Sequence, residues 1–215
     1  MNTPFSSRCI QALLAMSFSF TIAGVAWADD EPTAIKIARA ESAAPASVSA
    51  GATIMDVDGT VLREGSNGWT CLPGVPLIPG DDHPMCNDAV WTAWLAAAAA
   101  GEEFSTDTVS YSYMLQGDAM VHNHDPSATE PDDSGHWVQE GPHLMLLLSA
   151  SVSLAGMNDD PNAPRPYLMW GETPLRHIMV PVGPRDNQTR DRRCRSAVRL
   201  IHFANCSAPG HHHAS

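Results

Sequence analysis

The chain has 215 residues, of which 12 are basic and 24 acidic, giving a formal net charge of −12 with neutral histidines. Nucleic acid is excluded as the expected partner, because polyanion binding needs a cationic surface that releases counterions from phosphates. Beyond the first 28 residues, no segment approaches the roughly 20 apolar residues that a membrane-spanning helix needs. We therefore expect a protein or small-molecule partner and no membrane span in the mature chain.

Residues 1–28 are typical of a secretory signal peptide. One early positive charge, Arg8, precedes an apolar stretch from Ile10 to Ala26, which ends in the small-x-small triplet Ala26-Trp27-Ala28. This order of regions is characteristic of a segment that is removed after export. We predict cleavage after Ala28 and a periplasmic or secreted mature protein.

The cysteines indicate disulfide bonds. Cys9 leaves with the signal peptide, and an even set of four cysteines remains. In an oxidising compartment such a set forms disulfides, and no C-x-x-C pair is present to favour a zinc site instead. Four cysteines allow three pairings, and we favour the two that close short local loops. These pairs are Cys71 with Cys86 and Cys194 with Cys206.

Composition divides the mature chain into three parts. Residues 29–50 are rich in Ala, Ser and Pro, which predicts a flexible, exposed lead-in, and a short helix around Ile35–Glu41 is compatible with it. Residues 51–182 carry regular apolar segments, enough for a single globular domain. Residues 183–215 are arginine-rich and predict a disordered tail.

Three short strands are predicted at the start of this domain. The segments "ATIMDVD", "TVLRE" and "WTCL" alternate between apolar and polar residues, as half-buried strands do. Asp58-Gly59 and Ser66-Asn67-Gly68 separate them, and these residue types tolerate the positive φ of tight turns.

One well-defined helix is predicted at about 88–100, in the segment "CNDAVWTAWLAAAAAG". Asn87 or Asp88 provides an N-cap, and Gly101 a stop. Trp91 and Trp94 share one face of such a helix, which predicts that they belong to the core.

Further strands are predicted at 108–116, 143–149, 167–170 and 177–182. Long, Asp-rich loops lie between them at 117–141 and 155–166. Strands outnumber helices, and hairpins outnumber crossover connections. The predicted fold is therefore α+β, with a mostly antiparallel sheet, one helix and disulfide staples.

The segment "MDVDGT" resembles the first motif of the haloacid dehalogenase-like phosphatases. The resemblance implies Asp56 as nucleophile, Asp58 as general acid and bound magnesium. The family also needs a downstream Lys or Arg and an acidic pair, whereas the single lysine, Lys36, lies upstream. Arg176 with Asp186 or Asp191 fits these roles poorly, since the helices that should position them are missing. The alternative is a hairpin that turns at Asp58-Gly59, and the strand-like sequence that follows favours it.

The segment "MVHNHDPSATEPDDSGHWVQEGPH" concentrates potential metal ligands. Two histidines at i and i+2 project to one side of a strand and can chelate zinc or copper. The pattern resembles half of the histidine-rich signature of metallo-β-lactamase-like hydrolases, although Pro126 stands where that signature has a further histidine. The predicted ligands are His122, His124 and His143, with His136 as the alternative third nitrogen and Asp125 as an oxygen ligand.

His143 and His177 each open an apolar strand, in "PHLMLLL" and "RHIMVPV". A structural histidine at a strand edge, hydrogen-bonded to backbone, is the simpler interpretation. If the two strands are neighbours, the two imidazoles can meet and form a small polar site.

The segments "GTVLREG" and "NGWTC", with "GPHLMLLL" and "HIMVPV", resemble a group of exported bacterial hypothetical proteins without an assigned function. The resemblance covers about 43–182 and implies an exported single-domain protein, without supplying a catalytic residue. The chain departs from this group at His122 and His124, and again after Val182, where a tail ending "GHHHAS" follows.

Two functions are consistent with these features. The first is a non-enzymatic binding or interaction module that uses its long acidic loops as the contact surface, since loops on a rigid sheet usually carry function. The alternative is a metal-dependent hydrolase. It would use zinc through the His122/His124 cluster, or magnesium in a phosphatase site at Asp56 and Asp58.

Overall fold

Strands make up most of the regular structure in the computed structural model, which describes residues 31–78 and 81–185. The predicted signal peptide and residues 186–215, which include Cys194 and Cys206, lie outside these described residues. Within the two described ranges, no helix is both long and apolar enough to cross a membrane.

The described helices and strands follow one another closely along the chain. In order they are α1 (Thr33–Glu41), α2 (Ala46–Ser49), β1 (Thr53–Met55), β2 (Val61–Arg63), β3 (Thr70–Leu72), β4 (Met85–Asn87), α3 (Ala89–Ala100), β5 (Ser110–Met114), β6 (Met120–His122), β7 (Trp137–Gln139), β8 (His143–Leu147), β9 (Tyr167–Met169) and β10 (His177–Pro181).

Eight of these strands form one sheet, in the order β2-β1-β3-β4-β5-β8-β10-β9, and β6 pairs with β7 in a separate two-stranded sheet. β1 and β3 are parallel, whereas the other neighbours in the large sheet are antiparallel. The predicted combination of sheet, helix and disulfide is observed. The sheet is mixed, however, and α1 is a second regular helix, so the finer description as mostly antiparallel with one helix is only partly right.

Helix α3 lies where the sequence predicts it, because both of its ends are capped. The Asp88 carboxylate accepts a hydrogen bond from the backbone N–H of Trp91 at 2.8 Å. Gly101 ends the helix with φ of 68°, in the left-handed region that glycine adopts without a steric penalty. Trp91, Trp94 and Leu95 are buried, as the shared helix face predicts.

The segment before β1, predicted as a lead-in with a possible short helix around Ile35–Glu41, contains α1 and packs in part against the sheet. Helix α1 contacts β3, and Ala40 and Ala43 are both 0% exposed. The Lys36 ammonium lies 2.7 Å from the Asp56 carboxylate and ties the helix to the end of β1. The Ala, Ser and Pro content predicts an exposed segment, but alanine also favours helices and its small side chain lets a helix approach a sheet closely.

The pleat of the large sheet sorts its side chains onto two faces. Cys71 and Cys86 point toward α1 and pack in one apolar cluster with Ala40 and Ile54. The opposite face packs in a second cluster with Trp91 of α3. We call this second face, which α3 covers, the inner face.

The predicted disulfide between Cys71 and Cys86 is observed. These cysteines are directly paired across β3 and β4, and their sulfur atoms are 1.99 Å apart. Both residues are 0% exposed. The bond therefore joins two neighbouring strands beneath α1.

Contacts with the sheet also reach residues 183–185, just beyond the predicted domain end at residue 182. The backbone N–H groups of Val182 and Gly183 both donate to the Pro142 carbonyl, at 2.8 and 3.0 Å. The Arg185 guanidinium then donates to both carboxylate oxygens of Glu140, at 3.0 and 2.9 Å. Glu140 is only 4% exposed, so its charge is neutralised by a residue that the sequence assigned to the tail.

Replacing Cys71 and Cys86 together by Ala should lower the free energy of unfolding by about 3 kcal/mol, because a loop of this size loses that much closure entropy when it is cross-linked. Denaturant unfolding under non-reducing conditions measures the change. A matched variant with Cys194 and Cys206 replaced by Ala is the control. Free thiols at both Cys71 and Cys86 in the exported protein would contradict the assignment.

Replacing Arg185 by Gln should cost about 3 to 5 kcal/mol of unfolding free energy, since it leaves the buried Glu140 carboxylate without its counterion. Arg165→Gln is the matched control, because Arg165 is exposed and should change stability by less than about 0.5 kcal/mol. Equal effects of the two variants would show that the domain ends before Arg185.

Candidate functional site

An aromatic cluster surrounds His177 at the start of β10. The centroids of Trp91, Trp94 and Trp170 lie 5.8, 5.9 and 5.3 Å from the imidazole centroid, each ring meeting it edge to face. Trp91 and Trp94 are three residues apart on α3 and so share the helix face that meets the sheet. Trp170 directly follows β9 and has a positive φ of 54°, which is uncommon for a residue other than glycine.

Methionines occupy the inner face beside this aromatic cluster. A cavity of about 40 Å³ lies there, and the indole rings of the cluster form part of its wall. We call it the methionine cavity. Its lining residues are Met85, Met114, Met145, Met169, Trp91, Trp94, Trp170, His177, Asp118, Leu95, Val75, Leu77 and Ile78. Among these, His177 and Asp118 are the two that titrate, so the wall is otherwise apolar.

The hydrogen bonds of the two inner-face histidines fix their tautomers. Nδ1 of His177 lies 2.8 Å from the carbonyl oxygen of Leu175, and Nδ1 of His143 lies 2.7 Å from that of Gly141. A carbonyl oxygen only accepts, so Nδ1 must carry the proton in both rings. Nε2 therefore presents a lone pair, and for His143 this buried atom has no partner among the described residues.

Burial keeps both imidazoles neutral. Loss of hydration lowers the pKa of His177 to about 4, and it lowers the pKa of His143 as well. Since the folded pKa of His177 is below its usual 6.5, its contribution to stability is present above pH 6.5 and is lost as the pH falls through 4. At neutral pH both rings thus keep a lone pair on Nε2.

Asp118 is the carboxylic acid of the methionine cavity. Burial, and then the nearby Asp81 charge, raise the pKa of Asp118 from 3.8 to about 7. Its side chain accepts a hydrogen bond from the Ala119 N–H at 2.8 Å, which partly opposes this shift. Asp118 is therefore close to half-protonated at neutral pH.

A polar cluster lies behind Asp118. His83 Nδ1 is 2.6 Å from Asp81 Oδ1, while Asp81 Oδ2 is buried without a partner in the described part of the chain. The Tyr167 hydroxyl donates to Glu140 at 3.0 Å, and burial followed by the Glu140 charge raises the pKa of that phenol. The backbone N–H of Asp118 donates to the Glu140 carbonyl at 3.0 Å. The methionine cavity and the polar cluster therefore adjoin each other at Asp118.

Asp56 and Asp58 occupy a hairpin between β1 and β2. The Asp56 carboxylate binds the Lys36 ammonium at 2.7 Å and its backbone pairs with Thr60 and Gly59 across the turn. Asp58 is exposed, and its carboxylate accepts a hydrogen bond from the Thr60 N–H, which lowers the pKa of Asp58. The chain reverses here and continues as β2, as the hairpin alternative predicts.

The predicted zinc ligands are not assembled. His143 is 0% exposed in β8, whereas His124 and Asp125 are exposed on the loop after β6. His136 lies closer, with ring centroids 5.5 Å from His122 and 4.5 Å from His124. Across the described ranges, no three His, Cys, Asp or Glu side chains are positioned to hold a metal ion.

His143 and His177 do not face each other across their strands. Their strands are neighbours, but His143 is opposite Pro181 and Leu146 is opposite Ile178. This register offsets the two residues by about four positions, roughly 13 Å along the strands, although the charge of His143 still lowers the pKa of His177. The sequence therefore singles out the two inner-face histidines but does not predict the methionines and tryptophans that surround them.

Comparison with protein-family models gives no match, and the same is true of comparison with curated proteins and with solved structures. The resemblance to exported bacterial proteins stays a prediction. Function is therefore inferred from the side chains of the described residues.

Asp118→Asn should make the protein more stable at pH 8 by up to about 4 kcal/mol, and should change it little below pH 4. The pKa of Asp118 is raised in the folded state, so the contribution of Asp118 to stability is present below pH 3.8 and is lost as the pH rises through 7. Asn resembles the protonated acid and removes this loss. Urea unfolding at both pH values measures the difference, and an equal effect at both would contradict the raised pKa.

Proposed function

We propose that this protein is an exported binding protein whose ligand occupies the methionine cavity. The cavity itself is the observation that supports the proposal most directly. It is framed by rigid elements, α3 on one side and strands of the sheet on the other, and it combines an apolar wall with one imidazole and one carboxyl group. Such a mixture of apolar surface and few polar groups is typical of a ligand site.

The size of the cavity favours a very small ligand. By this measure one water needs about 10 to 15 Å³, and an engineered cavity of about 150 Å³ takes up benzene. A volume of about 40 Å³ therefore suits an ion or a ligand of a few atoms. Substrates of ordinary metabolic enzymes need pockets of about 300 Å³ or more.

A wider groove of about 300 Å³ lies elsewhere, beside the loop 161–166. Its charged lining residues are Glu140, Arg185 and Arg165, of which the first two neutralise each other through two hydrogen bonds. A ligand there would have to compete with an ion pair that is already satisfied. The groove therefore offers a ligand one exposed guanidinium, whereas the methionine cavity places the Nε2 lone pair of His177 in an apolar wall.

Export fits this proposal. A disulfide between Cys71 and Cys86 is stable in oxidising compartments and rare in reducing ones. The signal-peptide sequence supports the same location. The acidic loops, which the sequence suggested as the contact surface, would then mainly keep the exported protein soluble.

A zinc-dependent hydrolase is the second candidate. The observation in its favour is that the rings of His122, His124 and His136 have centroids 4.5 to 6.1 Å apart. Three imidazoles on one zinc ion have centroids about 5 Å apart, given zinc to nitrogen distances of about 2.0 Å. Rotation of the exposed His124 and His136 rings would be needed, and the half-buried His122 would have to give up the backbone hydrogen bond that its Nδ1 accepts from Asp125.

Xenon should enter the methionine cavity and shift the indole N–H signals of Trp91, Trp94 and Trp170 in NMR spectra of the labelled protein, while the signal of Trp137, which lies on β7 and does not line the cavity, stays in place. Leu95→Phe should abolish the shifts, because the larger ring fills the space beside Trp94. Unchanged indole signals under xenon would contradict an accessible cavity. Zinc-dependent turnover of generic ester or phosphate substrates, lost in His122→Ala, would replace the binding proposal by the hydrolase.

A further inference from the structure

The chemistry of the cavity wall points to a particular class of ligand. Four thioether groups and one imidazole line a space that fits a single ion. Thioether sulfur is a soft ligand, and soft ligands select Cu(I) over hard or borderline cations. Magnesium and calcium would instead require several oxygen ligands, and Asp118 is the one carboxyl group among the lining residues.

We propose that the methionine cavity binds a soft monovalent metal ion, Cu(I) or its analogue Ag(I), through Nε2 of His177 and the thioether sulfurs of Met169 and Met145. This inference rests on the proposed function, because it names the ligand of the same cavity. It goes beyond that function by assigning the ion class and its ligands.

The hydrogen bond at Nδ1 of His177 is of the kind that a metal-bound histidine makes. Metal-bound histidines usually donate their other ring N–H to a carboxylate or a backbone carbonyl, which fixes the tautomer and the ring orientation. Nδ1 of His177 makes this bond to the Leu175 carbonyl at 2.8 Å. Its Nε2 is therefore available as a lone pair, and the neutral ring does not have to lose a proton before it binds a cation.

The strand register brings sulfur close to this nitrogen. Met169 of β9 is directly opposite His177 of β10, so their Cβ atoms are about 4.5 to 5.5 Å apart on the inner face. Met145 of β8 lies on the same face and also lines the cavity. Methionine has three rotatable bonds, so both sulfurs can turn toward a bound ion without movement of the sheet.

Charge balance favours a monovalent ion. Asp118 lines the same cavity, and its pKa of about 7 allows it to ionise when a cation is present. One carboxylate then offsets one positive charge. Asp81, His83 and Glu140 also act on Asp118, but Arg185 already neutralises the Glu140 charge.

Titration of the mature protein with Ag(I) in chloride-free buffer, followed by tryptophan fluorescence, tests the inference. All samples carry Trp137→Phe, because the ring centroids of His122 and Trp137 are 5.4 Å apart. A metal ion bound at His122 would therefore also change the emission of Trp137. The region 186–215 has no tryptophan, so Ag(I) bound to its histidines or cysteines leaves the signal unaffected. Three of the four remaining tryptophans surround His177.

We expect one equivalent of Ag(I) to quench this fluorescence, and Met169→Leu and Met145→Leu each to weaken binding at least about tenfold. Leucine keeps the volume and apolar character of methionine but removes the sulfur, so both variants should fold with a nearly unchanged melting temperature. Met120→Leu is the matched control, since Met120 is 50% exposed on β6 and should bind like the parent protein. His177→Ala should abolish the quenching.

Equal Ag(I) affinity in the Met169→Leu, Met145→Leu and parent proteins would overturn the assignment of the ligands. If xenon enters the cavity but Ag(I) does not quench the fluorescence, the ion class is wrong and the binding function stands. If neither probe enters, both proposals fail.

Discussion

The carboxylate of Asp88 positions the helix on which the inner face depends. It caps α3 through the Trp91 N–H at 2.8 Å and also accepts hydrogen bonds from the Ser110 hydroxyl at 2.6 Å and the Tyr111 N–H at 2.7 Å. One side chain thus joins the first turn of α3 to β5. The helix is held at a fixed place over the sheet, and Trp91 and Trp94 meet His177 as a result.

The pleat of the sheet determines which side chains of each strand face α3. Alternation along β8 and β10 gives the inner face the sequence His-x-Met twice, His143 with Met145 and His177 with Met179, and the two methionines are directly paired. All four residues are at most 5% exposed. Burial keeps the imidazoles neutral, so the strands present lone pairs and sulfur atoms rather than charges to the space beneath α3.

The sequence predicts the elements of this arrangement better than it predicts their contacts. The N-cap at Asp88 and the stop at Gly101 locate α3, and the alternation beginning at His143 locates β8, because these are local signals. Strands β4, β6 and β7 are not predicted, because each is only three residues long and lies in a stretch rich in Asp, Pro, Gly and His that is typical of a loop. The docking of α1 depends on Ala40 and Ala43 fitting against the sheet, which composition alone reads as disorder.

The sequence does not predict the candidate site, for a related reason. Histidines and carboxylates are common metal ligands, so His122 and Asp125 predict a metal site in their loop. Methionine and tryptophan on strands and a helix predict only a hydrophobic core. What separates Met169 from ordinary core is its register partner, His177, and the pairing of β9 with β10 comes from a contact between strands. Register of this kind is set by tertiary packing and cannot be read from either strand alone.

Methionine has another common use, which is to fill irregular gaps in a core. If gap filling explained the four methionines here, their flexible side chains would have closed the space between α3 and the sheet. They surround a cavity of about 40 Å³ instead, and His177 shares its wall. The wall is apolar except for two groups, the imidazole of His177 with its Nε2 lone pair and the carboxyl group of Asp118. A ligand that binds sulfur and imidazole together would use both kinds of group, and this connects the packing of the inner face with its chemistry.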